Sequence, residues 1–103
     1  MAEVIWTLQA INDIDNIAIF IANDSERYAG IQTNRFLQAT IILEENPKFG
    51  RIVPELKNPD VREIILGNYR LIYRIVNSKQ IHILTIHHSK RLLSNNLIFR
   101  KEE

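Results

Sequence analysis

Residues 61–77 read VREIILGNYRLIYRIVN, and the fold turns on how this stretch divides. Apolar residues alternate on both sides of Gly67-Asn68, the period of an extended strand. A Gly-Asn pair between two alternating runs signals a two-residue hairpin turn, because such turns need left-handed backbone. Closure at 67–68 sets the register: Leu66 faces Tyr69, Ile65 faces Arg70, Ile64 faces Leu71 and Arg62 faces Tyr73. One face then carries Ile64, Leu66, Tyr69, Leu71, Tyr73 and Ile75, with Arg62 at its end. This is the expected core side. The other face is mixed: Glu63, Ile65, Arg70, Ile72, Arg74 and Val76. A second hairpin at Asn77–Gln80 leads into IHILTIHH, so three consecutive antiparallel strands are expected. In the last strand, His82, Leu84, Ile86 and His88 share a side by alternation. Which side that is depends on the second turn.

Working toward the N-terminus, the period lengthens. Ala10, Ile11, Ile14, Ile17, Ala18 and Ile21 fall on one stripe of a helix over residues 8–22, with Thr7 as N-cap. A short strand, Glu3–Trp6, precedes it. Asn23, Asp24 and Ser25 interrupt the pattern, and Asn23 with Glu26 makes a capping-box spacing. A second helix then runs to about Glu45, with Ala29, Thr33, Phe36, Thr40 and Leu43 on its stripe. Two helices joined by so few residues form an antiparallel hairpin. Ile19 and Phe20 lie off the first stripe and Leu37 and Ile41 off the second; either packing within the helical hairpin absorbs them or they form a partner groove or dimer surface, and a partner surface is the expectation. All three prolines sit in NPKFGRIVPELKNPD (46–60), a stiff irregular excursion between the helices and the meander. After the last strand, residues 92–103 suggest a short strand or helix end that frays at KEE.

The chain of 103 residues suits a single domain, 1–103, with an α+β fold. That fold is an N-terminal strand and an antiparallel helical hairpin packed on one face of an antiparallel sheet. Cysteine is absent, which excludes disulfides, thiolate metal sites and a Cys nucleophile. The apolar runs fall far short of the ~18 residues that a membrane span needs. MAEVIW has neither a basic n-region nor an apolar h-region, so a cytoplasmic location is expected. The net charge of +1 conceals an asymmetry. Residues 1–47 carry seven acids against two arginines, and residues 48–103 carry eleven basic side chains against five acids. All three histidines lie in the basic half. Such a split either pairs within the folded chain or offers two faces to different partners.

The elements carry specific residues in a specific order. Trp6 precedes the first helix, and Ala29, Leu43, Pro47 and Gly50 follow at set spacings. Next come GRIVPEL (50–56), Arg62-Glu63 opening a strand, YRLIYRI (69–75), and Ile86-x-His88-x-x-Arg91. Together these resemble the RelE/ParE superfamily of bacterial toxins from type II toxin–antitoxin modules, over nearly the whole chain. GRIVPE and the His-x-x-Arg ending are closer to the ParE branch, the plasmid-stabilisation type. The resemblance implies a growth-inhibiting toxin neutralised by a co-encoded antitoxin whose C-terminal segment wraps it, as a toxin homodimer or a toxin–antitoxin hetero-oligomer. Ile19, Phe20, Leu37 and Ile41 are then the expected antitoxin-binding surface. ParE-type toxins poison DNA gyrase, and RelE-type toxins cleave mRNA in the ribosomal A site. Poisoning of gyrase by a binding protein is the first reading. The alternative is a metal-independent, ribosome-dependent endonuclease acting on mRNA. A second alternative is an inactive member that only binds its antitoxin. None of the three calls for a cofactor, a metal or a membrane.

Under the nuclease alternative the resemblance implies four catalytic residues. Arg70 matches the arginine that contacts the scissile phosphate, and Arg91 matches the basic residue after the last strand. His88 would be the acid or base, and Glu55 resembles an acidic base of one subgroup. The C-terminal tyrosine of such sites is absent, and Lys48, Lys57 and Lys90 are widely spaced. Under the gyrase reading, Arg62, Arg70 and Arg91 are the expected target-binding residues. Each has a structural alternative: Arg70 pairs with Glu63 across strands, Arg62 supports the fold, and His88 is a hydrogen-bonded strand end. A surface Arg70 that only bridged Glu63 would contribute less than ~1 kcal/mol to stability.

Overall fold

The computed structural model describes residues 1–99. Its elements are strand β1 (Glu3–Trp6), helices α1 (Leu8–Ala22) and α2 (Glu26–Glu45), and strands β2 (Arg51–Ile52), β3 (Val61–Leu66), β4 (Tyr69–Asn77) and β5 (Gln80–His88). Thr7 caps α1 by accepting from the Ala10 N–H at 3.2 Å. The second cap differs from the capping-box expectation. Asn23 closes α1 through its own N–H to the Ile19 carbonyl, so Ser25 is left to cap α2, accepting from the Tyr28 N–H at 3.1 Å.

The 67–68 turn forms as expected, with Gly67 at φ 63°, and the β3–β4 pairs Leu66–Tyr69, Ile65–Arg70, Ile64–Leu71 and Arg62–Tyr73 all occur. Two features differ. The sheet order is β1-β5-β4-β3-β2, and β1 runs parallel to β5, so the five-stranded sheet is mixed. A four-residue edge strand carries no directional signal of its own. The second difference is a β-bulge: Ile72 pairs with Thr85 but Tyr73 pairs with Ile83. One extra residue reverses the alternation beyond it. Ile81, Ile83 and Ile86 therefore all reach the core, and His88 sits opposite Tyr69. Leu84 packs on the opposite side, and His82 pairs with Arg74. The expected set of His82, Leu84, Ile86 and His88 is thereby split between the two faces.

The main core lies between the helices and the sheet. Ala10, Phe36, Ala39, Leu43, Leu71, Tyr73, Ile81, Ile83 and Ile86 are buried there. Ile11, expected on the α1 stripe, is exposed, while Gln32 is buried and donates to the Leu66 carbonyl at 3.2 Å. The second face is also covered, contrary to the expectation of one buried side. Val53, Val61, Ile72 and Leu93 form a smaller core there, built from the proline-rich loop and the tail. The tail makes two 3-10 turns (Leu93–Asn95 and Leu97–Phe99) rather than a strand. The expected fraying at KEE lies outside the described residues.

The proline-rich loop is tied to the core by Tyr73. Its buried hydroxyl donates to the Pro47 carbonyl at 2.7 Å and accepts from the Gly50 N–H at 2.9 Å. Burial pushes the phenol pKa up. A Cβ on Gly50 would sit 2.6 Å from the Glu63 carbonyl oxygen and 2.8 Å from the Tyr73 ring, so the position admits no side chain. Two substitutions are informative. Tyr73→Phe leaves the Gly50 N–H and Pro47 carbonyl without partners and is expected to cost about 1–3 kcal/mol. Gly50→Ala is expected to cost at least as much. Urea denaturation checks both, and an unchanged midpoint in either variant contradicts this account of the loop.

Candidate functional site

Alternation along β3 and β4 points Glu63 and Arg70 to the same face, away from the helices. Arg51, on the edge strand β2, is in register with Glu63. The three side chains meet. Arg70 Nε donates to Glu63 Oε1 at 2.5 Å, and Arg51 Nε donates to Glu63 Oε2 at 2.6 Å. The loop then folds Glu55 over the same face. Arg70 Nη1 and Nη2 donate to its two carboxylate oxygens at 2.7 and 2.8 Å. Just after Glu55 the loop turns at Lys57, which has a φ of 52°; this left-handed backbone costs a non-glycine residue roughly 1–2 kcal/mol.

The result is a run of four alternating charges, Arg51, Glu63, Arg70 and Glu55. Glu63 is 1% exposed and Arg70 is 8% exposed. A buried carboxylate is tolerable only with cations on its oxygens, and Glu63 has one on each. The fork from Arg70 holds the Glu55 carboxyl far below the usual range, at about 2. The same hydrogen bonds, those to Glu55 first and that to Glu63 next, raise the Arg70 pKa. The Arg70 side chain is thus buried and fully engaged, not a surface arginine. The cross-strand pair with Glu63 is legible from alternation. The approach of Glu55 is not, because it depends on an irregular loop.

The expected site residues gather only in part. Arg70, Glu55 and Arg91 line a cleft of about 480 Å³, walled by Leu56 on the loop and by Ser89, Lys90 and Ser94 on the tail. His88 is on the other side of the sheet. Its ring meets Tyr69 edge-on at 5.3 Å, and its Nδ1 accepts from the Lys90 N–H at 3.1 Å. There it lines a larger groove of about 910 Å³ with Phe20, Asn16 and Tyr69. Lys90 and Arg91 line both. Arg62 serves the loop: Nε donates to the Pro59 carbonyl and Nη1 to the Gly50 carbonyl, each at 3.0 Å. Arg91 is exposed and has no carboxylate partner among the described residues. Ile19, Phe20, Leu37 and Ile41 are all exposed, between 47% and 69%, so packing within the helical hairpin does not absorb them.

His87, not His88, is the histidine beside Arg70 in register; this is the pair that closure at Asn77–Gln80 gives, because the irregularities at 75–77 and 83–85 cancel. It is 5% exposed and bridges the Arg91 carbonyl and the Asn96 side chain. No group of three or more His, Asp or Glu side chains among the described residues is placed to hold a metal ion. No helix there is long and apolar enough to cross a membrane. Both oxygens of Glu55 are engaged by Arg70, whose hydrogen bonds lower the pKa of the carboxyl to about 2 and so weaken it as a base.

Residues 4–93 match the family model described as the ParE toxin of the type II toxin–antitoxin system parDE. The chain is 32% identical to Toxin RelE2 of Caulobacter vibrioides over 92 residues, which covers 89% of this chain and all of that protein. Among solved structures, a chain of the chromosomal ParDE TA system from P. aeruginosa superposes with a TM-score of 0.69 at 24% identity. That match covers 87% of this chain and 98% of the other, and it supports the fold.

Two measurements examine the charge run. Glu63→Ala leaves Arg70 without its Nε partner in a buried position and is expected to cost about 3 kcal/mol. The Glu55 carboxyl titrates near 4.5 when unfolded and near 2 when folded, so its contribution is complete above pH 4.5 and is lost as pH falls toward 2. The difference in urea midpoint between the parent and Glu55→Gln is expected to shrink over that window. A difference that stays constant down to about pH 2 contradicts the pairing.

Proposed function

The chain belongs to the ParE toxin family of type II toxin–antitoxin systems, within the RelE/ParE superfamily, and we propose that it arrests growth by binding DNA gyrase in the cytoplasm. The observation that carries this reading is the dispersal of the proton-transfer candidates. Glu55 is held as a counter-ion on Arg70, and His88 lies across the sheet from both. Nucleolytic attack by a 2′-hydroxyl needs an acid and a base about one phosphate together. A binding poison needs only a complementary surface. Arg91, exposed and unpaired among the described residues, is the arginine best placed to meet an acidic or anionic target. Arg70 and Arg62 are engaged in holding the loop, through Glu55 and the Gly50 carbonyl.

The antitoxin, in this reading, docks on the helical hairpin over Ile19, Phe20, Leu37 and Ile41. These apolar side chains stand in solvent on the two helices. Ribosome-dependent mRNA cleavage is the second reading, and it is favoured by the shared cleft of Arg70, Glu55 and Arg91.

Expression without antitoxin is expected to stop growth, and purified protein is expected to block gyrase supercoiling and accumulate cleavage complexes. Codon-dependent cuts in translated mRNA with gyrase unaffected would establish the second reading instead. Arg91→Ala is expected to lose growth arrest with an unchanged melt. Leu37→Asp is expected to weaken antitoxin binding by about 2 kcal/mol in a titration, again without loss of folding. Unchanged affinity would remove Leu37 from the docking surface.

A further inference from the structure

We propose that His87 is a positioning residue that aims Arg91 at its target; this rests on the reading of Arg91 given above. The Arg91 peptide is held on both sides of its Cα. Its N–H donates to the His88 carbonyl at 3.0 Å, and its carbonyl lies 3.0 Å from His87 Nε2. Holding both groups leaves the two backbone dihedrals of Arg91 little freedom, and so sets the direction in which its side chain departs. That departure point is on the wall shared by the cleft and the groove.

The bond also dictates the tautomer. A carbonyl only accepts, so Nε2 of His87 carries the proton. Nδ1 is then an acceptor, and the Asn96 Nδ2 amide lies 3.1 Å from it. Asn96 cannot be turned the other way, because its Oδ1 accepts from the Ile98 N–H at 3.1 Å and from Gln9 Nε2 at 2.6 Å. Its Nδ2 also donates to Thr85 Oγ1 at 2.9 Å, and Thr85 donates to Asp13 on α1 at 2.5 Å. The ring is therefore fixed through Asn96 and Thr85 to the first helix. At 5% exposure it offers little surface of its own and acts through Arg91.

Two substitutions separate the roles of the ring nitrogens. In His87→Gln the amide nitrogen reaches the place of Nε2 and keeps the bond to the Arg91 carbonyl. In His87→Asn the amide oxygen takes the place of Nδ1 and keeps only the bond from Asn96. The full chain is expressed in each form, beside Arg91→Ala, and the inducer level that halves growth rate is measured. His87→Gln is expected to arrest growth as the parent does. His87→Asn is expected to need about tenfold more inducer and to be cut by trypsin after Arg91 about tenfold faster, the scale of one hydrogen bond. Equal behaviour of the two variants in both assays would overturn the proposal. If Arg91→Ala stays fully toxic, the reading of Arg91 fails, while the trypsin comparison still decides whether His87 holds that residue. Should His87→Asn fail to fold, nitrogen-15 spectra of the parent's His87 ring decide: a proton on Nε2 supports the proposal and one on Nδ1 overturns it.

Discussion

A carboxylate almost without solvent, Glu63, organises the outer face of the sheet. It is tolerated there because Arg51 and Arg70 each donate to one of its oxygens. The rest of that face follows. Arg70, drawn inward by Glu63, presents its two terminal nitrogens to Glu55 and so pins the proline-rich loop. The pinned loop brings Val53 and Leu56 over Ile72 and closes a second, smaller core. The charges of the basic half are thus partly spent inside the fold.

The same loop is held from the other side by hydrogen bonds that involve no carboxylate. The Tyr73 hydroxyl bonds Pro47 and Gly50, and Arg62 bonds the carbonyls of Gly50 and Pro59. Three prolines reduce the freedom that the loop must lose on folding. One segment without regular structure is therefore fixed by an ion pair on one sheet face and a phenol from the other. That double attachment is what gives the cleft beside Arg91 a constant wall.

The β-bulge at residues 83–85 sorts the chemistry of β5. Beyond it His87 lies on the face of Arg70, and His88 lies beside Tyr69 under the helical side. Adjacent histidines consequently do unlike things: one fastens the tail through Asn96, and the other packs edge-on against Tyr69. Such small changes can redirect a site on an unchanged fold, since the fold leaves the choice to side chains.

Much of the architecture was legible in the residues. Alternation on both sides of Gly67-Asn68 set the β3–β4 register, and 3.6-residue spacing set both helices with Thr7 as a cap, because these signals are local. The family was likewise legible, from GRIVPEL, YRLIYRI and the His-x-x-Arg ending. Three things were decided only in three dimensions. The parallel pairing of β1 on the edge of β5 is a long-range contact, and four residues carry no orientation of their own. The second carboxylate on Arg70 came from Glu55, fifteen residues away on an irregular loop. The faces taken along β5 came from two register irregularities, at residues 75–77 in β4 and 83–85 in β5, which offset only the residues between them and leave no trace in composition or period.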